Sequence, residues 1–287
     1  MQVDLKNNGV RQGWHKPGFS DRRWFKAEPK PFVEQMRGLS TLPSLSFDFS
    51  SDDPTSRARI NLPLVCWFRT TFTCDMIPAK LALVMDRNAI LGNYQVYLNG
   101  YQQPSNAFRP TFRYDHANVT CAVGRRVLKG KNVLAVRVEI DDLTHGLVDP
   151  LFLFGRFAVK RGRTIHLRLA ATVDQGPFNR LDDLGLPFYS GTVAYTRDID
   201  FPSLSNTKEF TISLEKELKG LTDIFELQIN GHSLGVRPWA PYAWTGKTAW
   251  LKRGKNRVIL RSTNTLARLL TGKEFKPRSH QMMPVKV

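Results

Sequence analysis

Four short residue patterns occur twice in this chain in the same order, and this internal repeat limits the folds that the chain can adopt. The second occurrence follows the first by 128, 131, 130 and 124 residues. Patterns that keep their order at nearly one spacing indicate two copies of one structural unit. We therefore expect two tandem domains, residues 1–173 and 174–287, joined near the Gly-, Pro- and Asp-rich segment Asp174–Pro187. The pairs are Trp67-Phe68-Arg69 with Tyr195-Thr196-Arg197, Leu98-Asn99-Gly100 with Ile229-Asn230-Gly231, Phe112-Arg113-Tyr114-Asp115 with Tyr242-Ala243-Trp244-Thr245, and Lys131-Asn132 with Lys255-Asn256.

Short runs rich in β-branched and aromatic residues recur along the chain, whereas helical periodicity is hard to find. Two of these runs end in Asn-Gly, a pair that favours the positive φ angles of tight hairpin turns. Many short strands at such spacing predict an all-β fold, which we interpret as two tandem β-sandwich domains. The predicted strands are Val65–Thr73, Tyr94–Leu98, Val133–Ile140, Thr164–Leu169, Thr192–Ile199, Phe210–Leu214, Ile224–Ile229 and Arg257–Ser262.

The chain is strongly basic, with 42 Lys and Arg against 25 Asp and Glu and a formal net charge of +17. Such a surface attracts polyanions such as nucleic acid, anionic lipid or acidic polysaccharide, without selecting one of them. The basic residues are scattered through strand-like segments, whereas nucleic-acid-binding arms usually concentrate them in one run. A solvated surface is the simpler interpretation. Nucleic acid is a disfavoured partner, and polyanion binding is kept as an alternative function.

The cysteine content and the hydropathy pattern exclude some classes of protein. Cys66, Cys74 and Cys121 cannot all pair, and they lack the spacing of a zinc site, so we predict no metal centre. Cys66 and Cys74 fall on one extended run, about 26 Å apart, so no bond between them is expected unless that run turns. We find no basic and apolar leader segment and no run of about 18 apolar residues, so no membrane span is predicted.

The order of these patterns resembles that of galactose-binding-like jelly-roll domains, the sugar-binding domains of glycoside hydrolase family 2 and its relatives. Each copy has a strand, an Asn-Gly hairpin, a Pro-aromatic segment, a Gly-Lys-Asn turn and a closing strand. The segments Gly13–Trp24 and Trp67–Phe72 look like the opening Gly-Trp motif and the strand after it. Gly185–Pro202 and Thr263–Leu270 are similar to the terminal domain of large family 2-like and family 106-like (rhamnosidase-type) hydrolases. The resemblance covers nearly the whole chain.

The resemblance implies a pair of noncatalytic β-sandwiches that bind sugar or brace a catalytic domain. Catalysis in that family resides in a (β/α)₈ barrel, which needs about 200 residues or more and alternating strands and helices that this chain lacks. We expect a carbohydrate-binding or structural accessory module associated with a glycoside hydrolase, with an acidic polysaccharide as an additional candidate ligand. Thr245 departs from the family pattern, because Asp often holds that position. The compartment is unknown, and it would be extracellular or periplasmic for a piece of a secreted hydrolase.

The candidate ligand contacts lie around the Pro-aromatic segments, because flat Trp and Tyr rings stack on sugars while polar side chains bond their hydroxyl groups. Phe112 and Tyr242 are expected to be core residues, and Trp14 and Trp24 to pack against the sandwich. For Trp239 and Trp244, core packing and ligand contact are both kept open. The candidates are Arg237, Trp239 and Trp244 in the second copy, and Arg109, Arg113, Asp115 and His116 in the first.

An acidic loop, Asp141–Asp149, supplies the remaining candidates, Asp142 and His145. Turn formation is the simpler interpretation because Asp is common next to Gly and Pro, as it also is at Asp182-Asp183. Sugar binding and calcium ligation are alternatives, so a structural calcium ion is left open while no cofactor and no catalytic residue are predicted. A freestanding glycan-active enzyme would need two carboxyl groups about 5 to 9.5 Å apart, and this loop is its best location. A scaffold that docks to a partner chain is a further alternative.

Overall fold

The computed structural model describes residues 1–37, 62–161, 167–176, 178, 180–204, 206–214, 223–276 and 281–285. The chain forms two compact units, Met1–Thr172 and Val173–Val287. Both are built from mainly antiparallel sheets with apolar residues between them, the strands Leu64–Cys74 and Leu167–Ala170 being a parallel pair, so the predicted all-β fold with β-sandwich domains is confirmed. The predicted strand Thr164–Leu169 lies partly outside the described residues.

The first unit consists of a large sheet, a four-stranded sheet and one strand pair. The large sheet has the order β12-β13-β2-β9-β5-β6 with β1 beside β2, the smaller one has the order β11-β3-β8-β7, and β4 pairs with β10. One short helix, α1 (Phe32–Arg37), precedes β2. The strands are β1 (Gln2–Val3), β2 (Leu64–Cys74), β3 (Ala82–Asp86), β4 (Ile90–Leu91), β5 (Tyr94–Leu98), β6 (Tyr101–Gln103), β7 (Arg109–Pro110), β8 (Asn118–Ala122), β9 (Gly130–Ile140), β10 (Gly146–Leu147), β11 (Phe152–Phe154), β12 (Ala158–Arg161) and β13 (Leu167–Ala170).

The large sheet of the first unit is apolar on both faces. Its inner face packs against the smaller sheet, whereas Trp67 and Tyr97 point to the outer face. There the N-terminal segment covers them with Trp14 and Trp24, and the indole of Trp67 donates to Asp4 Oδ2 at 3.2 Å. The prediction that Trp14 and Trp24 pack against the sandwich is therefore confirmed.

Arg69 fastens this N-terminal segment to the sheet. Its side chain is 1% exposed, and its Nε donates to Asp21 Oδ2 at 2.9 Å. Its terminal nitrogens donate to the carbonyl oxygens of Trp14, Lys16 and Phe19 at 2.9–3.1 Å. One buried guanidinium thus organises a segment about 50 residues away in the chain.

The second unit has a four-stranded sheet, β14-β19-β16-β17, and a facing pair, β15 with β18. Its core contains Phe225, Trp244 and Leu260. A short helix, α2 (Ala267–Thr271), precedes a separate hairpin of β20 and β21. The strands are β14 (Thr192–Phe201), β15 (Glu209–Ser213), β16 (Ile224–Ile229), β17 (His232–Arg237), β18 (Ala243–Lys247), β19 (Gly254–Thr263), β20 (Lys273–Lys276) and β21 (Gln281–Pro284).

The Asn-Gly turns and the Lys-Asn pairs form the same polar network in both units. Asn99 and Asn230 adopt φ angles of 52° and 47°, which are left-handed values, so the predicted hairpin turns are confirmed. The side-chain amide of Asn99 donates to Asn132 Oδ1 at 2.7 Å, and Asn230 donates to Asn256 Oδ1 at 2.7 Å. Asn132 and Asn256 are 0% exposed and bond the backbone of the turn that precedes them.

Two of the predicted correspondences between the copies are wrong. With Asn132 and Asn256 as equivalent residues, Ala135 corresponds to Ile259. Their partners in the sheets are Arg69 and Thr196, so Thr196, and not Arg197, occupies the place of Arg69. The Pro-aromatic segments also differ. Residues 112–115 lie in a loop before β8, whereas all but the first of residues 242–245 belong to β18.

All three cysteines are buried and free. Cys66 and Cys74 lie on the single strand β2, so the expectation that they do not bond each other is confirmed. Burial raises the pKa of Cys66 to about 12 and that of Cys74 to about 11, and it also raises the pKa of Cys121.

His15 is a buried titratable group within the N-terminal segment. Its ring lies 4.8 Å from the ring of Tyr97 and 6.3 Å from that of Trp67, and its Nδ1 has no hydrogen-bond partner among the described residues. Burial lowers the pKa of His15, and the neighbouring charges of Lys16 and Arg69 lower it further. The folded protein therefore favours the neutral imidazole.

We expect the first unit to lose stability as the pH falls below about 7. The unfolded chain takes up a proton at His15 near pH 6.5, the value for an exposed histidine, while the folded chain takes it up only at lower pH. The loss therefore begins near pH 6.5 and stops growing below the folded-state pKa of His15. Urea unfolding at several pH values should show a flatter dependence for His15→Gln, with the exposed His116→Gln as the control. An unchanged slope in His15→Gln would contradict this assignment.

Candidate functional site

The most exposed aromatic side chain of the candidate set is Trp239, on the loop that joins β17 to β18. Its side chain is 73% exposed. Arg237, at the end of β17, clamps this loop, because its Nε donates to the carbonyl oxygen of Ala243 at 2.9 Å and its Nη1 to that of Val236 at 3.0 Å. The loop thus exposes the flat apolar ring of Trp239, while the side chain of Arg237 holds the two ends of the loop together.

Trp244 does not belong to this surface. It is 0% exposed, and its indole donates to the carbonyl oxygen of Gly235 at 2.9 Å. On β18 it pairs with Ile212, and the alternation of the strand turns its ring into the core of the second unit. Of the two alternatives kept open for Trp244, core packing is therefore confirmed and ligand contact is excluded for this candidate. Tyr242 packs against the same core, with its ring 4.8 Å from Phe225, as predicted.

The candidates of the first unit lie on and beside the loop before β8. Arg109, Arg113, Asp115 and His116 are all exposed. The loop is shaped by Asn118, whose side-chain oxygen accepts hydrogen bonds from three consecutive backbone amides, 113–115, at 3.0–3.2 Å. Asp115 uses its carboxylate for the backbone of the same loop, at 2.7 Å. These side chains lie on or beside one loop, but the hydrogen bonds found there hold the loop itself in shape.

Phe112 corrects another expectation, because its side chain is 64% exposed and stands beside the ring of His116 at 5.1 Å. It is not a core residue, because it lies in the loop that precedes β8 and not on a strand that faces the core. Tyr114, which was not predicted to be a core residue, is the aromatic side chain of this loop that packs inward. Its ring packs on Phe152 and Phe154, and burial together with the charge of Asp86 raises its pKa.

The acidic loop at 141–149 is engaged in local structure. Asp142 accepts hydrogen bonds from the backbone and the hydroxyl of Thr144 at 2.8 and 2.6 Å, and these bonds lower the pKa of Asp142. His145 Nδ1 lies 2.5 Å from Asp141 Oδ1, and the backbone of His145 accepts a bond from Phe32. A general acid in glycoside hydrolysis needs a raised pKa, so Asp142 is unsuited to that role.

Two features are absent from the part of the chain that the structure describes. In these residues no group of three or more His, Cys, Asp and Glu side chains is placed to hold a metal ion. None of the helices in these ranges is long and apolar enough to cross a membrane.

Beside the Asn-Gly turn of each unit, the structure places two planar side chains in contact, which the sequence analysis did not predict. In the first unit the guanidinium of Arg126 lies 4.3 Å from the centre of the Tyr101 ring. In the second unit the rings of His232 and Trp250 stack at 5.0 Å with an angle of 9° between their planes. Tyr101 and His232 each follow an Asn-Gly turn, which is the signal that could have paired them.

Comparisons with known proteins give remote structural similarities only. The sequence matches no protein-family model and no curated protein. Similar solved structures include a glycosyl hydrolase family 2 member from Bacteroides cellulosilyticus (13% identity, TM-score 0.37, covering 92% of this chain and 30% of that one). An exo-chitosanase from Amycolatopsis orientalis has 14% identity and a TM-score of 0.39, over 91% of this chain and 27% of the other. An α-L-rhamnosidase from Streptomyces avermitilis has 14% identity and a TM-score of 0.30, over 69% and 22%.

This chain thus spans less than a third of the length of these structures. At such identities and TM-scores, the similarities assign neither an activity nor a substrate to it.

Proposed function

We propose that this chain is a noncatalytic carbohydrate-binding module of the galactose-binding-like type, formed by tandem β-sandwich domains 1–173 and 174–287 and associated with a glycoside hydrolase. The second domain contacts the glycan through Trp239, with Arg237 beside it. The observation that carries the proposal is the 73% exposure of Trp239 on a loop that Arg237 closes. Large aromatic side chains are usually buried in monomers, and a ring held in water by a well-formed loop suits stacking on a sugar.

The loop is suited to binding because its shape is fixed before the ligand arrives. The Arg237 clamp joins the end of β17 to the start of β18, and the neighbouring Trp244 anchors β18 in the core. A ring on such a loop loses little freedom on binding, which leaves more of the contact energy for affinity. Arg237, two residues before Trp239 in the chain, adds a cation to this loop, which fits a sugar with hydroxyl or acidic groups.

Truncating Trp239 is the direct test. We expect Trp239→Ala to weaken binding of the best glycan from an array of neutral, uronate-containing and sulfated glycans by tenfold or more, about 1.4 kcal/mol or above. Stacking on a neutral sugar changes little with salt, so the loss should be similar at low and high salt concentration. Titration calorimetry of both proteins with that glycan measures the change.

Phe112→Ala is the matched control, because Phe112 is also a strongly exposed aromatic residue, at 64%, on a loop of the first domain. It should bind the glycan like the unmodified chain. A loss with Phe112→Ala and none with Trp239→Ala would reject the assignment to the second domain. The absence of any glycan binding by the intact chain would reject the module itself and favour a scaffold that docks to a partner.

A further inference from the structure

The stacked planar pairs occupy equivalent places in the two units. The carbonyl oxygen of Arg126 accepts a hydrogen bond from the side chain of Asn99 at 2.7 Å. In the same way, Trp250 accepts one from Asn230 at 2.9 Å. Arg126 and Trp250 each end a single-turn 3₁₀ helix, so the structure aligns them although their side chains differ. Each unit therefore places two flat groups against each other beside its Asn-Gly hairpin.

In the first unit this hairpin end is strongly basic. Arg125, Arg126, Lys129 and Lys131 are all exposed, and Lys16 joins them, because a Cβ at Gly100 would lie 3.5 Å from Lys16 Cγ. The two turns, residues 99–103 and 124–132, contain no Asp or Glu.

Two carboxylates on segments that adjoin this end, Asp75 and Asp21, are already paired with other cations. Asp75 follows Cys74, the partner of Gly130 in the sheet, and it is bound by Arg168 at 2.5 Å. Asp21 is bound by Arg69. The positive charge of the hairpin end is therefore not balanced by these neighbours.

The same end of the second unit has mixed charge. Lys255 stands opposite Asp200 in the ladder between β14 and β19, and Lys247 stands opposite Glu209 in the pair of β15 with β18. Cross-strand pairs of opposite charge attract each other directly. The unbalanced positive charge is thus a property of the first unit.

We propose that the hairpin end of the first unit binds an acidic polysaccharide, with a sugar ring on Tyr101 and its carboxylate or sulfate group on Arg126 and the neighbouring lysines. Tyr101 is 54% exposed even with the guanidinium over its ring. Arg and Lys bind such acid groups through charge-assisted hydrogen bonds, and stacking against the ring limits the motion of the Arg126 guanidinium. This site is separate from Trp239 and does not depend on the function proposed for it.

The geometry favours an acidic glycan over single-stranded nucleic acid. Sites for single strands line up several aromatic side chains on which successive bases stack along a groove. The hairpin end offers one exposed aromatic ring surrounded by cations. This arrangement suits one sugar ring that carries its own acid group.

The test compares two triple variants that remove the same charge. Arg126→Gln, Lys129→Gln and Lys131→Gln together change the hairpin end, while Arg197→Gln, Lys208→Gln and Lys273→Gln change exposed cations of the second unit. The probes are polygalacturonate, heparin and a single-stranded oligonucleotide, with dextran as the neutral control, at 50 and 300 mM salt. Tyr101→Ala is measured in parallel, because it removes the ring and leaves the charge unchanged.

We expect the hairpin-end variant to bind polygalacturonate or heparin at least tenfold more weakly at 50 mM salt, and the control variant to change less than twofold. Tyr101→Ala should weaken the same probe about threefold or more at both salt concentrations. A preference for polygalacturonate identifies carboxylate as the acid group, and a preference for heparin identifies sulfate.

Equal losses in the two triple variants would overturn the proposal, because the binding would then follow net charge alone. Tighter binding of the oligonucleotide than of either glycan would also overturn it. The three hairpin-end substitutions are also made in the Trp239→Ala background, where they should weaken binding of the acidic probe by the same factor as in the unmodified chain. A failure of Trp239 as a glycan contact is thereby distinguished from a failure of this site.

Discussion

Replacing Arg69 with methionine is expected to lower the free energy of unfolding of the first unit by about 3 kcal/mol. The substitution keeps much of the apolar stem but leaves three carbonyl oxygens and the carboxylate of Asp21 without their buried partner. Breaking a buried ion pair costs about 3–5 kcal/mol, and the lower end applies because Asp21 is 36% exposed. Urea unfolding followed by tryptophan fluorescence measures the effect, since Trp14, Trp24 and Trp67 lie together in this region.

Arg197→Met is the control for this prediction. The sequence patterns match Arg197 to Arg69, but the structure leaves Arg197 exposed and aligns Thr196 with Arg69 instead. Exposed substitutions usually change stability by less than about 0.5 kcal/mol. Similar losses in the two variants would mean that the register derived from the sheets is incorrect.

The second large effect is expected at the buried asparagines of the repeated network. Asn132→Ala and Asn256→Ala should each destabilise their own unit by about 3 kcal/mol. Each side chain is 0% exposed and bonds four groups, three of the backbone and one of another asparagine, all at 2.7–3.0 Å. Its removal leaves several buried polar groups unpaired, and each such group costs about 1–3 kcal/mol before the turn relaxes.

Thermal unfolding followed by circular dichroism tests the two variants side by side. Asn106→Ala, an exposed position in a short 3₁₀ turn, should leave the midpoint almost unchanged. A large effect in one unit combined with a small effect in the other would argue against equivalent networks.

The strands and hairpins could be predicted because they depend on local sequence. Tyr94–Leu98 and Ile224–Ile229 have the predicted bounds, and the other predicted strands that are fully described differ by a few residues at their ends. The Asn-Gly turns follow from the tolerance of Asn and Gly for positive φ angles. These features require no knowledge of what packs against them.

The candidate site was harder to predict because it depends on burial and on contacts between distant residues. Trp239 and Trp244 are five residues apart and similar in the sequence, but only the pairing of β18 shows that Trp244 faces the core. The match of Arg126 with Trp250 is invisible in the sequence, because a cation in one copy replaces an aromatic ring in the other. The burial of Arg69 likewise requires the path of residues 14–21 across the sheet.

The three buried thiols make the native chain suitable for site-specific labelling. Burial raises the pKa of Cys66 to about 12 and that of Cys74 to about 11, and it raises the pKa of Cys121 too, so all three thiols stay protonated near neutral pH. Maleimide reagents attack the thiolate, so an added cysteine on an exposed turn would react far faster than these three. A fluorophore can therefore be placed beside Trp239 or beside the hairpin end without first removing any native cysteine, and binding at each location can be followed separately.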